Sequence, residues 1–439
     1  MEGEVQERDV LEKRQARSAS VRLAANQGSY YTSITLGTPP QTHEVLMDTG
    51  SADLVVLSTL TSIPLPSGGT ADACSTNCII TAPLYDPSNS SSAEVTSQPV
   101  SITYGTGSAE GVLVSDSMGF GGWEANQTFI ASPPSLASAL VSSPDQTGLL
   151  GLAWQGLSES GAMPFVQSLF EAGSLEEPVM GFGLAPLDAR SVPDPSAVVP
   201  GGILSLGTTL PSLYTGSLDY VPLSSTSGNE LYWSIPLVEV QVAGKALGLS
   251  ASAVVIDTGT NSIAIPQSAA EAIYSQIPGS APVAGSQGIW SYPCSTDVSL
   301  TFIFGSTAYT LPPQSFNAGL VSSNGRLCAG AVSSLGSSRR GGETWIIGTP
   351  FLFSFYSAFR FSPPSVGFAP LNDSESLLAY GAIPTSSGGE VTVSVSGLGG
   401  AQATAMPGAS AAGMNEVEWS TLMMAGVLAL VLVGGGAAW

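Results

Sequence analysis

Two aspartates sit in the same short context, far apart in the chain. "VLMDTGSADLVV" (Val45 to Val56) carries Asp48, and "AVVIDTGTNSIAIP" (Ala253 to Pro266) carries Asp257. In each, an apolar run (Val45 to Met47; Val254 to Ile256) reads as buried strand, delivers an acid into a tight turn, and is followed by a second apolar run. Burying a carboxylate is costly unless it is paired and hydrogen-bonded, so a chain that does so twice calls for a chemical reason. Two facing carboxylates can hold a water between them. Like charges a few ångström apart do not both ionise easily, so such a pair keeps one proton. The ionised partner can take a proton from the water while the protonated one donates to a scissile carbonyl. That is hydrolysis with neither a metal nor a nucleophilic side chain. Which aspartate holds the proton is left open by the sequence. Gly50 and Gly259 are expected to let backbone N–H groups approach the acids and to permit turn dihedrals that side chains resist.

The elements that must position these acids read as strands. The chain has 439 residues with 51 Gly and 31 Pro, and short apolar runs recur between turn signals, which indicates an all-β protein. The length allows more than one domain. Downstream of the first acid comes "TGLLGLAW" (Thr147 to Trp154), and downstream of the second "TWIIGTPF" (Thr344 to Phe351). Each half is thus strand, Asp-Thr-Gly turn, strand, and later two aliphatics and a Gly: Leu149-Leu150-Gly151 and Ile346-Ile347-Gly348. Self-similarity of this kind predicts two homologous β-domains, with the seam near Pro200 to Gly207 and a cleft between the halves as the place of the site.

These motifs resemble the pepsin-type aspartic endopeptidases over roughly Gln27 to Leu371. "YYTSITLGTPPQ" (Tyr30 to Gln41) is similar to the family's opening strand, and "ITYGTGSAEG" (Ile102 to Gly111) to its flap hairpin. "LYWSIPL" (Leu231 to Leu237) and "SVGFAPL" (Ser365 to Leu371) are similar to later strands. The resemblance implies an all-β, bilobal fold with a central cleft and Asp48 and Asp257 as the catalytic dyad. It also implies that Ser51 and Thr260 hydrogen-bond the outer carboxylate oxygens, and that Thr49 and Thr258 lock the two loops together. Tyr104, Gly105 and Thr106 become the flap over an extended polypeptide substrate; no cofactor is called for. The family's two common disulfides imply pairs Cys74–Cys78 and Cys294–Cys328; the residues alone allow three pairings. Three positions depart from the family pattern. Val55 stands where a Trp commonly bonds the flap tyrosine, Asn261-Ser262 follows Thr260, and Thr349 stands where Asp is frequent, which implies a pH optimum that is not strongly acidic. The dibasic pair and the C-terminal tail resemble the fungal yapsin-like branch.

Other functions fare poorly. Charged residues are 10% of the chain and the formal net charge is −22, so nucleic acid is excluded as a partner for want of a cationic surface. His43 is the only histidine, which rules out His clusters for a metal, and it lies in the strand leading to Asp48, where it reads as an ordinary strand side chain. The cysteines are too far apart for a zinc site. No Lys or Arg occurs between Leu23 and Ala189, which predicts a preference for substrates bearing Lys or Arg. Two rival readings stand beside the enzyme: a non-catalytic binding or inhibitor protein on the same scaffold, and a structural cell-surface β-protein. An intact pair of acids with an intact flap tyrosine argues against the first, and the second predicts that Asp48 and Asp257 do not converge.

The ends read as processing and anchoring segments. "MEGEVQERDVLEKR" is charged and holds no apolar core of signal-peptide length, so a signal peptide is expected upstream. Lys13-Arg14 reads as a dibasic processing site of a zymogen. Sequons at Asn89, Asn126 and Asn372 and the paired cysteines indicate secretion. Thr421 to Trp439 carries no charge and is near the roughly 20 residues a membrane-spanning helix needs. With no basic residue after Arg360, and with small residues and a polar spacer upstream, it reads as a GPI-attachment signal, or else as a retained span. The resulting division is 1–26, propeptide remnant and leader; 27–203, N-terminal lobe; 204–373, C-terminal lobe; 374–413, Ser/Gly/Ala-rich stalk; and 414–439, hydrophobic tail. A monomer is expected.

Overall fold

A computed structural model of the chain describes residues 16–26, 29–60, 63–64, 70–71, 82–105, 107–137, 140, 146–186, 198–225, 228, 230–286, 288–322, 325–335 and 344–372. Lys13, Arg14, Cys74, Cys78, Thr106, the stalk and the tail lie outside the described residues. Among those described, no helix is long and apolar enough to cross a membrane.

The fold is bilobal and almost wholly β. The first half contributes most of a thirteen-stranded sheet and the second half an eight-stranded one. Each acid lies at the same point of the same local arrangement. Strand Gln41–Asp48 runs antiparallel to Ser29–Leu36 and parallel to Gly148–Gly151, with Met47 opposite Leu150 and Asp48 opposite Gly151. The chain turns after Asp48 and returns as Leu54–Leu57 on the other side of that same short strand. In the second half Ala251–Ile256 runs parallel to Ile346–Ile347, and Ile263–Pro266 closes antiparallel on its far side. The repeat read from sequence is therefore a repeat of strand order.

The aliphatic-aliphatic-Gly motif owes its glycine to this packing. A Cβ on Gly151 would lie 2.4 Å from the Ala52 carbonyl carbon, and one on Gly348 would lie 2.1 Å from the Thr260 oxygen. Only a bare backbone fits that close beneath each turn. Backbone bonds then fix the turns: Leu152 N–H donates to the Asp48 carbonyl at 2.8 Å, and Asp257 N–H to the Ile347 carbonyl at 3.0 Å. The aliphatic residues beside both acids, Val45, Met47 and Leu150 with Val254, Ile256 and Ile347, belong to one continuous core shared by the halves. Trp233, fully buried, ties the halves by donating its indole N–H to the Leu152 carbonyl at 2.9 Å.

Two sequence boundaries meet continuous structure. Residues 19–26, placed in the leader from sequence, form strand Ala19–Asn26, which pairs with Ser29–Leu36 and with Val199–Leu206. The latter strand runs through the 203/204 division. In the second half Cys294 and Cys328 are bonded, at an S–S distance of 2.01 Å.

Candidate active site

The two Asp-Thr-Gly turns meet face to face. A Cβ on Gly50 would lie 2.6 Å from the Asp257 carboxyl carbon, and a Cβ on Gly259 would lie 2.4 Å from Asp48 Oδ1. Each acid is thus pressed against the glycine of the opposite turn, and the carboxyl groups are within hydrogen-bonding reach of one another. Each also has its own donors. Gly50 N–H donates to Asp48 Oδ1 at 2.9 Å and Ser51 Oγ to Asp48 Oδ2; Gly259 N–H donates to Asp257 Oδ1 at 2.8 Å and Thr260 Oγ1 to Asp257 Oδ2. Asp48, Asp257, Thr49 and Thr258 are all buried.

Burial raises the affinity of both carboxyls for a proton. For Asp48 the hydrogen bonds from Ser51, Asp257 and Gly50 pull the other way. For Asp257 the negative charge of Asp48 adds to the effect of burial and carries it well above the ordinary carboxylate range. Two adjacent carboxyls that both favour the protonated form resist ionising together, the more so at Asp257.

Tyr104 ends strand Glu94–Tyr104 and pairs with Gly107, the first residue of Gly107–Phe120; Gly105 lies in the turn between them. Its ring packs in an apolar cluster with Val55, Ile102 and Leu149. Burial and the charges of Asp48 and Asp53 keep its hydroxyl protonated. His43 is buried in strand Gln41–Asp48, with Nδ1 3.5 Å from the Thr147 hydroxyl.

These arrangements match a known family. Residues 29–371 match the family profile described as eukaryotic aspartyl protease. The chain belongs to that family. It is 32% identical to "Major aspartyl peptidase 1" of Cryptococcus neoformans over 387 residues, covering 86% of this chain and 76% of that protein. It is 31% identical to "Aspartic protease" of Phaffia rhodozyma over 366 residues (82% and 80%), and 33% identical to "Pepsin A" of Sus scrofa over 347 residues (78% and 81%). As an aspartyl protease of this family it hydrolyses peptide bonds in polypeptides.

Two residues near the dyad went unread in the sequence. Tyr232 precedes buried Trp233, whose carbonyl accepts the Ile256 N–H at 2.9 Å, so it lies one step from Asp257 across the sheet. Burial and then the charges of Asp48, Asp257 and Glu159 raise its pKa. Asp53 is buried and accepts from Ser158 Oγ at 2.8 Å, Glu159 N–H at 2.8 Å and Ser160 N–H at 3.1 Å. It ties the first turn to the loop beyond Trp154. The only signal for either was an aromatic or acid close in sequence to a motif.

Proposed function

We propose that Asp48 and Asp257 are the catalytic pair of an endopeptidase that cleaves extended polypeptides through a water held between them. The observation that carries this is the seating of each carboxyl on the other turn's glycine. Asp48, ionised, takes a proton as the water oxygen attacks the scissile carbonyl carbon, and Asp257 gives its proton to the carbonyl oxygen. The C–N bond of the resulting diol then breaks. The proton on Asp48 passes to the leaving amine, and Asp257 recovers its own from a diol hydroxyl. Ser51, Thr260 and the N–H groups of Gly50 and Gly259 hold the carboxyls in place. The 104–106 hairpin closes over the peptide and bonds its main chain.

The wider setting is part of the same reading. Processing after Lys13-Arg14 and tethering by the C-terminal tail place a monomeric yapsin-like enzyme at the cell surface, with substrates bearing Lys or Arg favoured by the cation-free first half. The Cys294–Cys328 bridge supports passage through an oxidising compartment; Cys74–Cys78 is proposed as the second bridge. Exposure of Asn126 supports carbohydrate there; Asn89 is exposed too, but its amide donates to Asp86 Oδ2 at 2.9 Å. At Asn372 the side-chain amide already donates to the Ser212 carbonyl at 2.6 Å, a bond carbohydrate has to displace.

The test is cleavage of a peptide pool from acidic to neutral pH, with and without a statine-type inhibitor. D48N and D257N are each expected to lose about 10²–10⁴-fold in kcat/KM. Cleavage that survives D48N overturns the mechanism.

A further inference from the structure

One of the sequons lies in the middle of a strand. Asn126-Gln127-Thr128 belongs to strand Trp123–Ser132, which pairs antiparallel with Gly107–Phe120, the strand leaving the flap turn. Alternate residues of a strand share a face. Glu124, Asn126 and Thr128 take the outer one, while Trp123, Gln127 and Phe129 are buried. Asn126 is opposite Ser117, and Thr128 is opposite Ser115, which is in turn opposite Glu94. At these positions three neighbouring strands present a polar outer face.

That face is hollowed. Ser92, Glu94, Ser117, Glu124, Ala125 and Asn126 line a groove of about 540 Å³, within the size range of small-molecule sites. The protein holds its walls in place. Ser92 Oγ donates to Oδ1 of buried Asp116 at 2.7 Å, and Ser117 Oγ donates to Glu124 Oε1 at 2.8 Å. Polar groups fixed in this way lose little freedom on binding. Two carboxyl groups in the lining disfavour an anion and suit a neutral ligand rich in hydroxyl and N–H donors. Asn126 points to which ligand that is. The amides of Asn89 and Asn372 are engaged by Asp86 and the Ser212 carbonyl, whereas Asn126 is exposed and opens on the groove. A sugar joined to its Nδ2 starts inside that space.

We infer that this groove seats the first two N-acetylglucosamine residues of an N-linked glycan on Asn126. The inference rests on the carbohydrate proposed at Asn126 above. Glu94 and Glu124 accept hydrogen bonds from sugar hydroxyl and acetamide N–H groups. Glu94, Ser117 and Asn126 come from three neighbouring strands, two of which run on into the flap hairpin. The seated sugars therefore clasp the base of that hairpin.

The experiment uses the full chain secreted from a glycosylating host. Mass spectrometry of glycopeptides reads the occupancy of Asn126. An endoglycosidase that cuts between the two N-acetylglucosamine residues is then applied to the native protein. Release at Asn126 is expected to be at least about tenfold slower in the wild type than in E94A/E124A, the worth of the lost hydrogen bonds. The same two changes should lower the melting temperature of the glycosylated protein and leave that of N126Q unchanged. Equal release rates overturn the inference. So does a fall in melting temperature that is as large in the N126Q background, because the acids then support the fold and not the sugar. An unmodified Asn126 in the wild type overturns the carbohydrate reading at that residue and this inference with it.

Discussion

Thr49 and Thr258 each complete the other's loop. Thr49 Oγ1 donates to the Ile256 carbonyl at 2.9 Å and accepts the Thr258 N–H at 3.0 Å; Thr258 Oγ1 donates to the Met47 carbonyl at 2.8 Å and accepts the Thr49 N–H at 3.1 Å. The carbonyls that receive these protons belong to the residues just before the two aspartates. Four buried bonds therefore fix the spacing of the dyad without touching a carboxyl.

Replacing either threonine by valine keeps the shape and strands one buried N–H and one buried carbonyl. Each single change is expected to cost on the order of 3 kcal/mol in urea unfolding. The double variant should cost less than the sum, since both act on one interface. Because a small displacement of the carboxyls spoils their alignment, kcat should fall in each single variant while KM changes little. Additive losses in the double-mutant cycle would show the loops to be held independently.

The pH–rate profile should be bell-shaped. In the mechanism proposed above, activity needs Asp48 ionised and Asp257 protonated. It rises as the pair loses its first proton and falls as Asp257 loses the second. Burial and the neighbouring charge hold that second proton well above the ordinary carboxylate range, so the alkaline limb should lie nearer neutrality than a free carboxyl would place it. The same shift has a stability sign. A carboxyl whose folded pKa is raised stabilises the fold fully only below its unfolded value of 3.8, and that contribution is lost as pH climbs to the folded value. D257N should therefore melt higher than the wild type near pH 7, with the difference vanishing below about pH 4. An equal difference at both pH values would contradict the shift.

The strands that carry the acids were legible because both apolar and turn residues fall in short runs, and because the whole pattern occurs twice. The Gly151 and Gly348 positions were legible for the same reason, though their cause, a turn lying against the bare backbone, is visible only in three dimensions. What escaped depends on distant partners. Strand Ala19–Asn26 reads as leader because the residues that make it a strand, such as Leu206 opposite Ala19, come much later in the chain. Tyr232 reaches the dyad through sheet register, and Asp53 through donors at residues 158–160. The missing Trp at Val55 was readable; that the Tyr104 hydroxyl has no partner among the described residues was not.

Gly50→Ala and Gly259→Ala should inactivate the enzyme. The new methyl group falls 2.6 Å from the Asp257 carboxyl carbon in one case and 2.4 Å from Asp48 Oδ1 in the other. The carboxyl must move by a substantial fraction of an ångström, and displacements of that order cost roughly a hundredfold. The expected signature is a fall in kcat/KM of at least that size in a protein that still unfolds cooperatively. Full activity in either alanine variant would mean that the turns do not abut as described.

Breaking the Cys294–Cys328 bridge should weaken the second half. The cysteines are 34 residues apart, and closing a loop of that length in the unfolded chain is worth about 3–4 kcal/mol. The double Cys→Ser variant should unfold at correspondingly lower denaturant. Unchanged unfolding would mean that the bridge contributes no net stability.

His43 should make the fold sensitive to acid. It is 2% exposed, its Nε2 has no partner among the described residues, and the Tyr85 ring lies edge-on at 6.0 Å. Burial pushes its pKa from 6.5 down to about 4. In the unfolded chain the imidazole charges as pH falls through 6.5, while in the folded protein it stays neutral until about 4. Stability that is complete above the unfolded value is thus lost across that window, to a total of roughly 3 kcal/mol at 1.36 kcal/mol per pKa unit. His43→Leu removes the titration. Its denaturant midpoint relative to the wild type should rise as pH is lowered from 7 to 4, and the gap should stop growing below that. A wild-type and variant pair whose midpoints keep a constant separation across the range would show that His43 is charged, or free to become so, inside the folded lobe.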